Sequence, residues 1–324
     1  MLNSLTIVGS AWRPAETAND KALQALQAFD REHFLRAIEI TVPEIAPGRE
    51  CVEHALEVRG VSLRFGGVRA LTEVSFGVND GELFSIIGPN GAGKTSIVNC
   101  ISGRYRPTEG QLFYRGQDIT ALTPNARPRL GIGRTFQNLA LFHHMSVLDN
   151  IMVGRHHLLK NNFITGSLYW LTGARREELE QRRKVEEIID FLDLQSVRKA
   201  TAGTLPYGLR KRVELARAMA LEPQLILLDE PMAGMNFEEK EDMARYIVDL
   251  NEEFGMTVMM IEHDMGVVMD ISHRVMVLDF GRKIAEGDPA AVLADPHVKR
   301  AYLGEEDEVL VDPDEAPAPA ETVA

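Results

Sequence analysis

Cysteine is scarce in this chain of 324 residues, with only Cys51 and Cys100 present. Two cysteines cannot supply the framework of several disulfides typical of small secreted domains, and their spacing matches no zinc motif. The histidine pairs at 143–144 and 156–157 also lack acids or thiols at metal-ligand spacing. We therefore expect both cysteines to be reduced and to lie outside any functional site.

Long apolar runs and an excess of positive charge are missing as well. No stretch approaches the roughly 20 apolar residues that a membrane-spanning helix needs, and the N-terminus has no basic start before its short apolar stretch. The formal net charge of −13 argues against a broad nucleic-acid interface, although eight of the acids follow Gly304. We expect a cytoplasmic protein that binds no nucleic acid.

The chain divides into three parts by composition and pattern. Residues 1–54 have helical spacing of apolar residues, which fits a docking helix or a helix packed on its own domain. Residues 55–304 carry the strand and helix patterns of a main domain. Residues 305–324 are acidic and rich in Pro and Ala, which predicts a disordered tail.

The main domain begins with alternating apolar and polar residues and then changes pattern. ALEVRGVSLRF and LTEVSFGV, separated by Gly66 and Gly67, predict an antiparallel β region. A buried strand (LFSII), a helix, a loop-rich middle, a charged helix (ARREELEQRRKVEEIIDFLDL) and further strand–helix alternation follow. This order predicts an α/β fold with a mainly parallel sheet wrapped by helices, together with a helical insertion.

The clearest chemical motif is GPNGAGKT at residues 88–95, between the strand LFSII and the predicted helix TSIVNCISG. Its glycines allow backbone N–H groups to face a phosphate, its Lys94 reaches the β and γ oxygens, and its Thr95 hydroxyl suits Mg²⁺. The motif predicts that ATP and Mg²⁺ bind here. The loop residues expected to contact ATP are Gly88, Pro89, Asn90, Gly91, Ala92, Gly93, Lys94, Thr95 and Ser96.

Acidic and polar side chains follow two further strand patterns, and the polar residue Gln137 precedes both in the chain. LILLDE ends in Asp229 and Glu230, and we assign Asp229 to the metal and Glu230 to the catalytic base that polarises the attacking water. His263 follows the strand TVMMI and is placed to reach a γ-phosphate. Gln137, in GRTFQN, suits contact with Mg²⁺ or with the water. The alternative for the two acids is an ordinary solvated strand end.

These motifs together resemble the ABC-type ATPases over about residues 55–304. The order of GPNGAGKT, RTFQN, LPYG, LILLDEP and IEHD carries that resemblance. RFGGVRAL, VLDNIMVGRHH, AGMN and GRKIAEGDPAAVLADPHVKRAYLG are similar to the ATP-binding subunits of importers for branched-chain and other hydrophobic amino acids. The extension at residues 1–54 departs from that family pattern.

The resemblance implies a head-to-tail pair of ATPase domains, with each nucleotide between the phosphate loop of one and the signature of the other. The signature turn here is Leu205, Pro206, Tyr207 and Gly208, before a helix expected at 209–220. The common family signature, Leu-Ser-Gly-Gly-Gln, has a Ser where this chain has Pro206, so one hydroxyl donor to phosphate is missing. The alternative is a helix start without a phosphate role.

The resemblance also implies an aromatic contact to adenine and a surface for a membrane permease. Phe65 lies at the family's adenine-stacking position, while the alternative is a core residue of the β region. Residues 163–171 are rich in apolar side chains and form either a partner surface or a local core.

The expected function is that of the ATP-hydrolysing subunit of an importer, on the inner face of the membrane. Its expected partners are integral membrane permease subunits, a second ATP-binding subunit of the same or another kind, and indirectly an extracytoplasmic solute-binding protein. One alternative is a soluble ABC ATPase of DNA repair or translation, although Thr95 and Leu205 lie only about 110 positions apart, too close for a long coiled-coil insertion. A small-molecule kinase would leave the Gln137, signature and His263 set unexplained.

Overall fold

The computed structural model describes residues 54–135, 140–158 and 174–303. Several features predicted from the sequence lie outside these residues. They are Cys51, nearly all of the extension at 1–54, Gln137, the apolar stretch at 163–171 and the tail at 305–324.

The alternating segments at the start of the main domain form the predicted antiparallel sheet. Its order is β2-β1-β4-β5. The first two strands flank the turn at Gly66 and Gly67, and Phe65 pairs with Val68. Alternation turns one side chain in two towards the core. The strands are β1 Leu56–Phe65, β2 Val68–Val78, β4 Glu109–Tyr114 and β5 Gln117–Asp118.

The continuous apolar runs form a second, mainly parallel sheet, in the order β10-β9-β3-β8-β7-β6. Three of its strands, LFSII, LILLD and TVMMI, are buried at every position, as expected when both faces of a sheet are covered. Only the edge strand β10 runs antiparallel, against β9. The strands are β3 Leu83–Ile87, β6 Ile132–Arg134, β7 Leu225–Asp229, β8 Thr257–Ile261, β9 Arg274–Asp279 and β10 Arg282–Gly287.

Helices and short turns connect the strands in the described part of the chain. They are α1 Lys94–Ile101, α2 Val147–Gly154, α3 Ala174–Phe191, α4 Tyr207–Met219, α5 Phe237–Glu252, α6 Met265–Ile271, α7 Pro289–Ala294 and α8 Pro296–Leu303. Short 3-10 turns lie at Pro124–Ala126, Pro128–Leu130, His156–Leu158, Gln195–Val197 and Ala202–Thr204. None of the helices in the described part of the chain is both long and apolar enough to cross a bilayer.

The parallel sheet separates two apolar cores. Ile226 and Leu228 of β7 face the core that includes side chains of α2 to α5. Leu225 and Leu227 face the opposite core, which includes α1 and the antiparallel sheet. This arrangement follows from the period of two along a strand, and it confirms the predicted α/β architecture.

The boundary of one predicted helix is wrong by two residues. The helix after the signature turn begins at Tyr207, not at residue 209, and Pro206 is its N-cap. Proline is accepted here because the first N–H groups of a helix have no partner inside the helix. Gly208 therefore lies within the first turn of α4. Cys100, as predicted, is on a helix, and it is fully buried.

Arg274 joins the two sheets through a partly buried ionic cluster. Its guanidinium donates to both carboxylate oxygens of Glu82 at 2.7 and 2.9 Å, to the carbonyl of Gly77 on β2 at 2.5 Å, and to Glu286 on β10. Burial alone would raise the pKa of Glu82, but hydrogen bonds from Arg274 and from the backbone of Asn79 lower it.

We predict that Arg274→Met lowers the free energy of unfolding by roughly 3 kcal/mol at neutral pH, because the Glu82 carboxylate loses its charged partner. Urea unfolding measures this loss. The matched control is Arg115→Met, since Arg115 pairs with the exposed Asp80, and such surface pairs contribute about 1 kcal/mol or less.

The difference in the free energy of unfolding between wild type and Arg274→Met should depend on pH. The folded-state pKa of Glu82 is lowered, so the ion pair stabilises the protein above the pKa of an unfolded glutamate. That contribution disappears as the pH falls through the folded pKa. The difference between wild type and Arg274→Met should therefore shrink in acid, and an equal difference at pH 3 and pH 7 would contradict the assignment.

Candidate functional site

Four strands of the parallel sheet end at one edge, and each is followed by predicted site residues. In the register, Ile261 of β8 lies opposite both Ile86 of β3 and Asp229 of β7. The chain beyond β6 leads to Gln137, which is outside the described residues. Because the carboxyl ends of parallel strands share an edge, the phosphate loop, the two acids and His263 come together there.

The phosphate loop is built from backbone that only glycine adopts readily. Gly88, Gly91 and Gly93 have φ values of 145°, 84° and 101°. At Gly88 a Cβ atom would lie 2.0 Å from the carbonyl oxygen of Leu278, and at Gly93 it would lie 2.7 Å from that of Ala70. The glycines are therefore required both for conformation and for close backbone packing.

The side chain of Lys94 folds back onto the phosphate loop. The residue is 6% exposed, and its ammonium donates to the carbonyls of Gly88 at 2.7 Å and Pro89 at 2.9 Å. Burial lowers the pKa of Lys94, while the nearby charges of Glu230 and Asp229 raise it. Thr95 and Ser96 follow on the first turn of α1, whose N-terminus presents backbone N–H groups to the loop.

Asp229 is fully buried, so the alternative of a solvated strand end does not apply to it. One of its oxygens, Oδ2, accepts from Arg134 Nη2 at 3.1 Å. The other, Oδ1, has no hydrogen-bond partner among the residues that the structure describes. Burial raises the pKa of Asp229 even though Arg134 opposes this rise. A buried carboxylate oxygen without a partner is costly unless something binds it.

Arg134 connects Asp229 to the helix that follows the phosphate loop. Its Nη1 donates to Asn99 Oδ1 at 2.7 Å and to Ser102 Oγ at 2.6 Å, both at the end of α1. It is the last residue of β6, two residues before the undescribed segment 136–139. The arginine therefore ties the strand that leads to Gln137 to both predicted Mg²⁺-binding elements.

Glu230 leaves the strand in a strained conformation. Its φ of 52° is in the left-handed region, which costs a non-glycine residue about 1 to 2 kcal/mol. Its N–H donates to the carbonyl of Ile261 at 3.0 Å. Its Oε1 lies 2.7 Å from His263 Nε2, so the predicted base and the predicted histidine are in direct contact. This geometry turns the carboxylate away from the strand and towards the histidine loop.

The carboxylate of Glu262 holds the backbone on both sides of the Glu230–His263 contact. The residue is 3% exposed, and burial raises its pKa. Its two oxygens accept from the backbone N–H of Met232 at 2.7 Å and of His263 at 3.1 Å. One buried carboxylate therefore fixes the loop after Glu230 relative to the backbone of His263.

The signature turn packs on the loop that follows β7. Leu205 is buried in the helical core, whereas Pro206 and Tyr207 are exposed. The ring of Tyr207 lies over Gly234, where an added Cβ would be 3.2 Å from Tyr207 Cε1. Gly208 faces the carboxylate of Glu239, which leaves no room for a side chain.

Phe65 is 47% exposed at the end of β1, so the alternative of a core residue is wrong. Its ring meets the Tyr105 ring edge to face, with the centroids 5.1 Å apart. The pair leaves part of the Phe65 ring accessible to solvent and holds its orientation. Tyr105 follows α1, and its backbone N–H donates to the carbonyl of Asn99.

Three charged residues of the site that are buried or partly buried were missed by sequence reasoning. Arg134 is in the same GRTFQN segment as Gln137, and Glu262 directly precedes His263. Lys211 is one turn into α4 and donates to the carbonyl of Glu230 at 3.1 Å. These residues lie close in sequence to predicted site residues, which could have indicated a role for them. The identity of a charged residue alone, however, reveals neither its burial nor its hydrogen-bond partners.

Comparison with known families finds two matching segments. The ABC transporter family model matches residues 71–233, which include the phosphate loop, the signature turn and both acids. A second model, described as a branched-chain amino acid ATP-binding cassette transporter, matches residues 282–308, from the edge strand β10 onwards.

The individual relatives agree with both models. The high-affinity branched-chain amino acid transport ATP-binding protein BraF of Pseudomonas aeruginosa is 40% identical over 250 residues, which cover 77% of this chain and 98% of BraF. A crystal structure of the ADP conformation of an ATP-binding cassette of an ABC transporter has a TM-score of 0.68 at 33% identity, covering 78% of this chain and 100% of its own. A dimeric cassette in a post-hydrolysis state, bound to ADP and Pi, has a TM-score of 0.62 at 26% identity and covers 72% and 98%.

We predict that Gly88→Ala lowers the free energy of unfolding by about 3 kcal/mol or more, because the Cβ clash with Leu278 adds to backbone strain. Gly91→Ala is the matched control. It also has a positive φ, but nothing lies within 4 Å of an added Cβ, so only strain remains. Urea unfolding compares the two variants, and equal losses would exclude the steric role of Gly88.

Proposed function

This chain belongs to the ABC transporter family, and we propose that it is the ATP-binding and ATP-hydrolysing subunit of an importer. The solute of that importer is a branched-chain or another hydrophobic amino acid. The match at residues 282–308 and the BraF relative support an importer over a soluble ATPase of DNA repair or translation.

The proposal of ATP hydrolysis rests on two consecutive acids at the end of β7, of which one is buried and the other faces outward. Asp229 has a buried oxygen, Oδ1, without a hydrogen-bond partner in the described part of the chain, and Glu230 reaches His263 on the accessible side. A phosphate-bound Mg²⁺ uses few protein ligands and keeps several waters, so the Thr95 hydroxyl and Asp229 suit it. The bound metal would neutralise charge on the phosphate oxygens.

The nucleotide contacts follow from the loop. Lys94, which now donates to two carbonyls of the loop, would exchange them for phosphate oxygens, and the backbone N–H groups of residues 88–96, which Pro89 lacks, would cover the phosphates. Phe65 would stack on adenine, with Tyr105 supporting the ring from its edge.

The hydrolytic step uses the carboxylate of Glu230. A water oxygen attacks the γ-phosphorus, the bond to the bridging oxygen of ADP breaks, and Glu230 orients the water and accepts its proton. His263 restrains the carboxylate through the 2.7 Å contact and would reach the γ-phosphate of a bound nucleotide. Gln137 would contact the metal or the water from the segment after β6.

A second ATP-binding subunit, identical or different, would complete the site. The N–H groups at the start of α4, including that of Gly208, would close over the γ-phosphate bound by the partner. Pro206 provides no hydroxyl, and one hydrogen bond to a charged group contributes about 1.5 to 3 kcal/mol. Closure through this signature turn is therefore weaker than through a serine-bearing one.

ATP-driven closure of that pair would drive the transport cycle. Closure would move integral membrane permease subunits, and hydrolysis with phosphate release would reset them. An extracytoplasmic solute-binding protein would deliver the solute. The chain would thus work as a peripheral protein on the cytoplasmic face of the membrane.

Co-purification tests the transport role. Tagged Glu230→Gln, captured with MgATP from detergent-solubilised native membranes, is expected to retain a permease and a second ATPase subunit. Capture without nucleotide is the control for the effect of closure. Recovery of only soluble partners or of nucleic acid would overturn the importer assignment.

We also predict that Glu230→Gln binds ATP normally but hydrolyses it at least about 100-fold more slowly, because the amide cannot accept a proton. Phosphate release measures turnover, and a fluorescent ATP analogue measures binding. The matched control is Glu238→Gln, an exposed acid in the first turn of α5. Near-normal turnover of the Glu230 variant would exclude Glu230 as the base.

A further inference from the structure

The first turns of α4 pack on the loop that contains the catalytic acid of the same subunit. Tyr207 covers Gly234, Gly208 faces Glu239, and Lys211 donates to the carbonyl of Glu230. The helix that carries the signature turn is therefore in direct contact with residues 230–239. A movement of α4 cannot leave that loop unchanged, because close-packed contacts transmit displacement.

Lys211 is a charged side chain in a position where a neutral one would be expected. It is only 3% exposed, although lysine is almost never buried to this degree without a specific partner. Its ammonium is 3.1 Å from the Glu230 carbonyl and 5.9 Å from the centroid of the Tyr207 ring. A buried ammonium that donates to one backbone carbonyl fixes the position of that carbonyl.

The Glu230 backbone is fixed from several elements at once. Its N–H donates to Ile261 of β8, its side chain contacts His263, and its carbonyl accepts from Ala233 N–H at 3.3 Å and from Lys211. Of these contacts, the one from Lys211 comes from α4. Since Glu230 has a positive φ, its conformation persists only when its surroundings impose it.

We propose that Lys211 is a positioning residue for Glu230. The placement of the catalytic carboxylate then depends on the position of α4, the helix that begins at the signature turn. When α4 closes over a partner's nucleotide, Lys211 carries that movement to the Glu230 turn of its own site. Each subunit thereby links two events. One is the contact of its signature turn with the phosphate bound by the partner, and the other is the activation of water in its own nucleotide site. This inference rests on the proposed function, because it requires Glu230 to act on water.

The direct test is Lys211→Met, which keeps the length and apolar stem of the side chain but removes the donor. We expect kcat for ATP hydrolysis to fall roughly 10- to 100-fold, as for a small misplacement of a catalytic group. KM and ATP binding should change little, because the hydrogen bond that Lys211 makes among the described residues goes to the Glu230 carbonyl and not to the phosphate loop. Lys211→Gln, which keeps an N–H donor on a shorter side chain, should lie between wild type and Lys211→Met.

Lys184→Met is the matched control, because it removes the ammonium of a half-buried lysine at another place in the fold. Lys184 lies on α3 and pairs with Glu222 at 2.7 Å, away from the catalytic turn, so its kcat should remain that of wild type. Thermal unfolding of all variants separates positioning from stability. A general loss of structure in Lys211→Met would lower ATP binding and the unfolding midpoint together with kcat, and that pattern would overturn the proposal.

A double-mutant cycle tests whether Lys211 acts through Glu230. In the Glu230→Gln background, Lys211→Met should cause no further loss of the residual turnover. A full additional loss in that background would overturn the positioning role. Wild-type kcat in Lys211→Met with strong loss in Glu230→Gln would overturn it while leaving Glu230 as the base. Near-normal turnover in Glu230→Gln would overturn the base assignment and, with it, this proposal.

Discussion

The parallel register of β3, β8 and β7 is the constraint on which the site depends. It places Ile261 beside both Ile86 and Asp229, so three loops leave the sheet at one edge. The glycines at 88 and 93 then allow the phosphate loop to pass close to the backbones of Leu278 and Ala70. A slip of one residue would exchange the side chains that face the two apolar cores, and the packing of both cores opposes it.

Buried charge distinguishes this edge from the rest of the sheet. Asp229, Lys211 and Glu262 are each at most 3% exposed, and each is held by a named donor or acceptor. Ionised groups are costly to bury, so their contacts must be well made to persist. Around Glu230 the result is a rigid, polar turn whose left-handed backbone is imposed by neighbours on β8 and α4. Such a preorganised site needs little rearrangement when charge develops on phosphate oxygens.

Much of the fold could be predicted because its signals are local. The alternation around Gly66, the apolar strand LFSII and the motif at 88–95 each specify their structure through short-range periodicity or glycine geometry. The start of α4 was placed two residues late, because the sequence is compatible with a helix after Pro206 but does not show whether it begins at Tyr207 or after Gly208. Arg134, Lys211 and Glu262 were missed because charged residues usually predict a solvated surface. Their burial depends on contacts between distant segments, which no local pattern encodes.

A crystal structure of the Glu230→Gln chain with MgATP would show directly whether this edge of the sheet binds the nucleotide. We expect phosphates on residues 88–96, the metal coordinated through Thr95 and Asp229 Oδ1 or its water, and the adenine on Phe65. We also expect the N-terminus of α4 from a second subunit to face the γ-phosphate. Nucleotide bound elsewhere, or a metal held without any contribution from Asp229, would contradict the assignment of this edge as the ATP site.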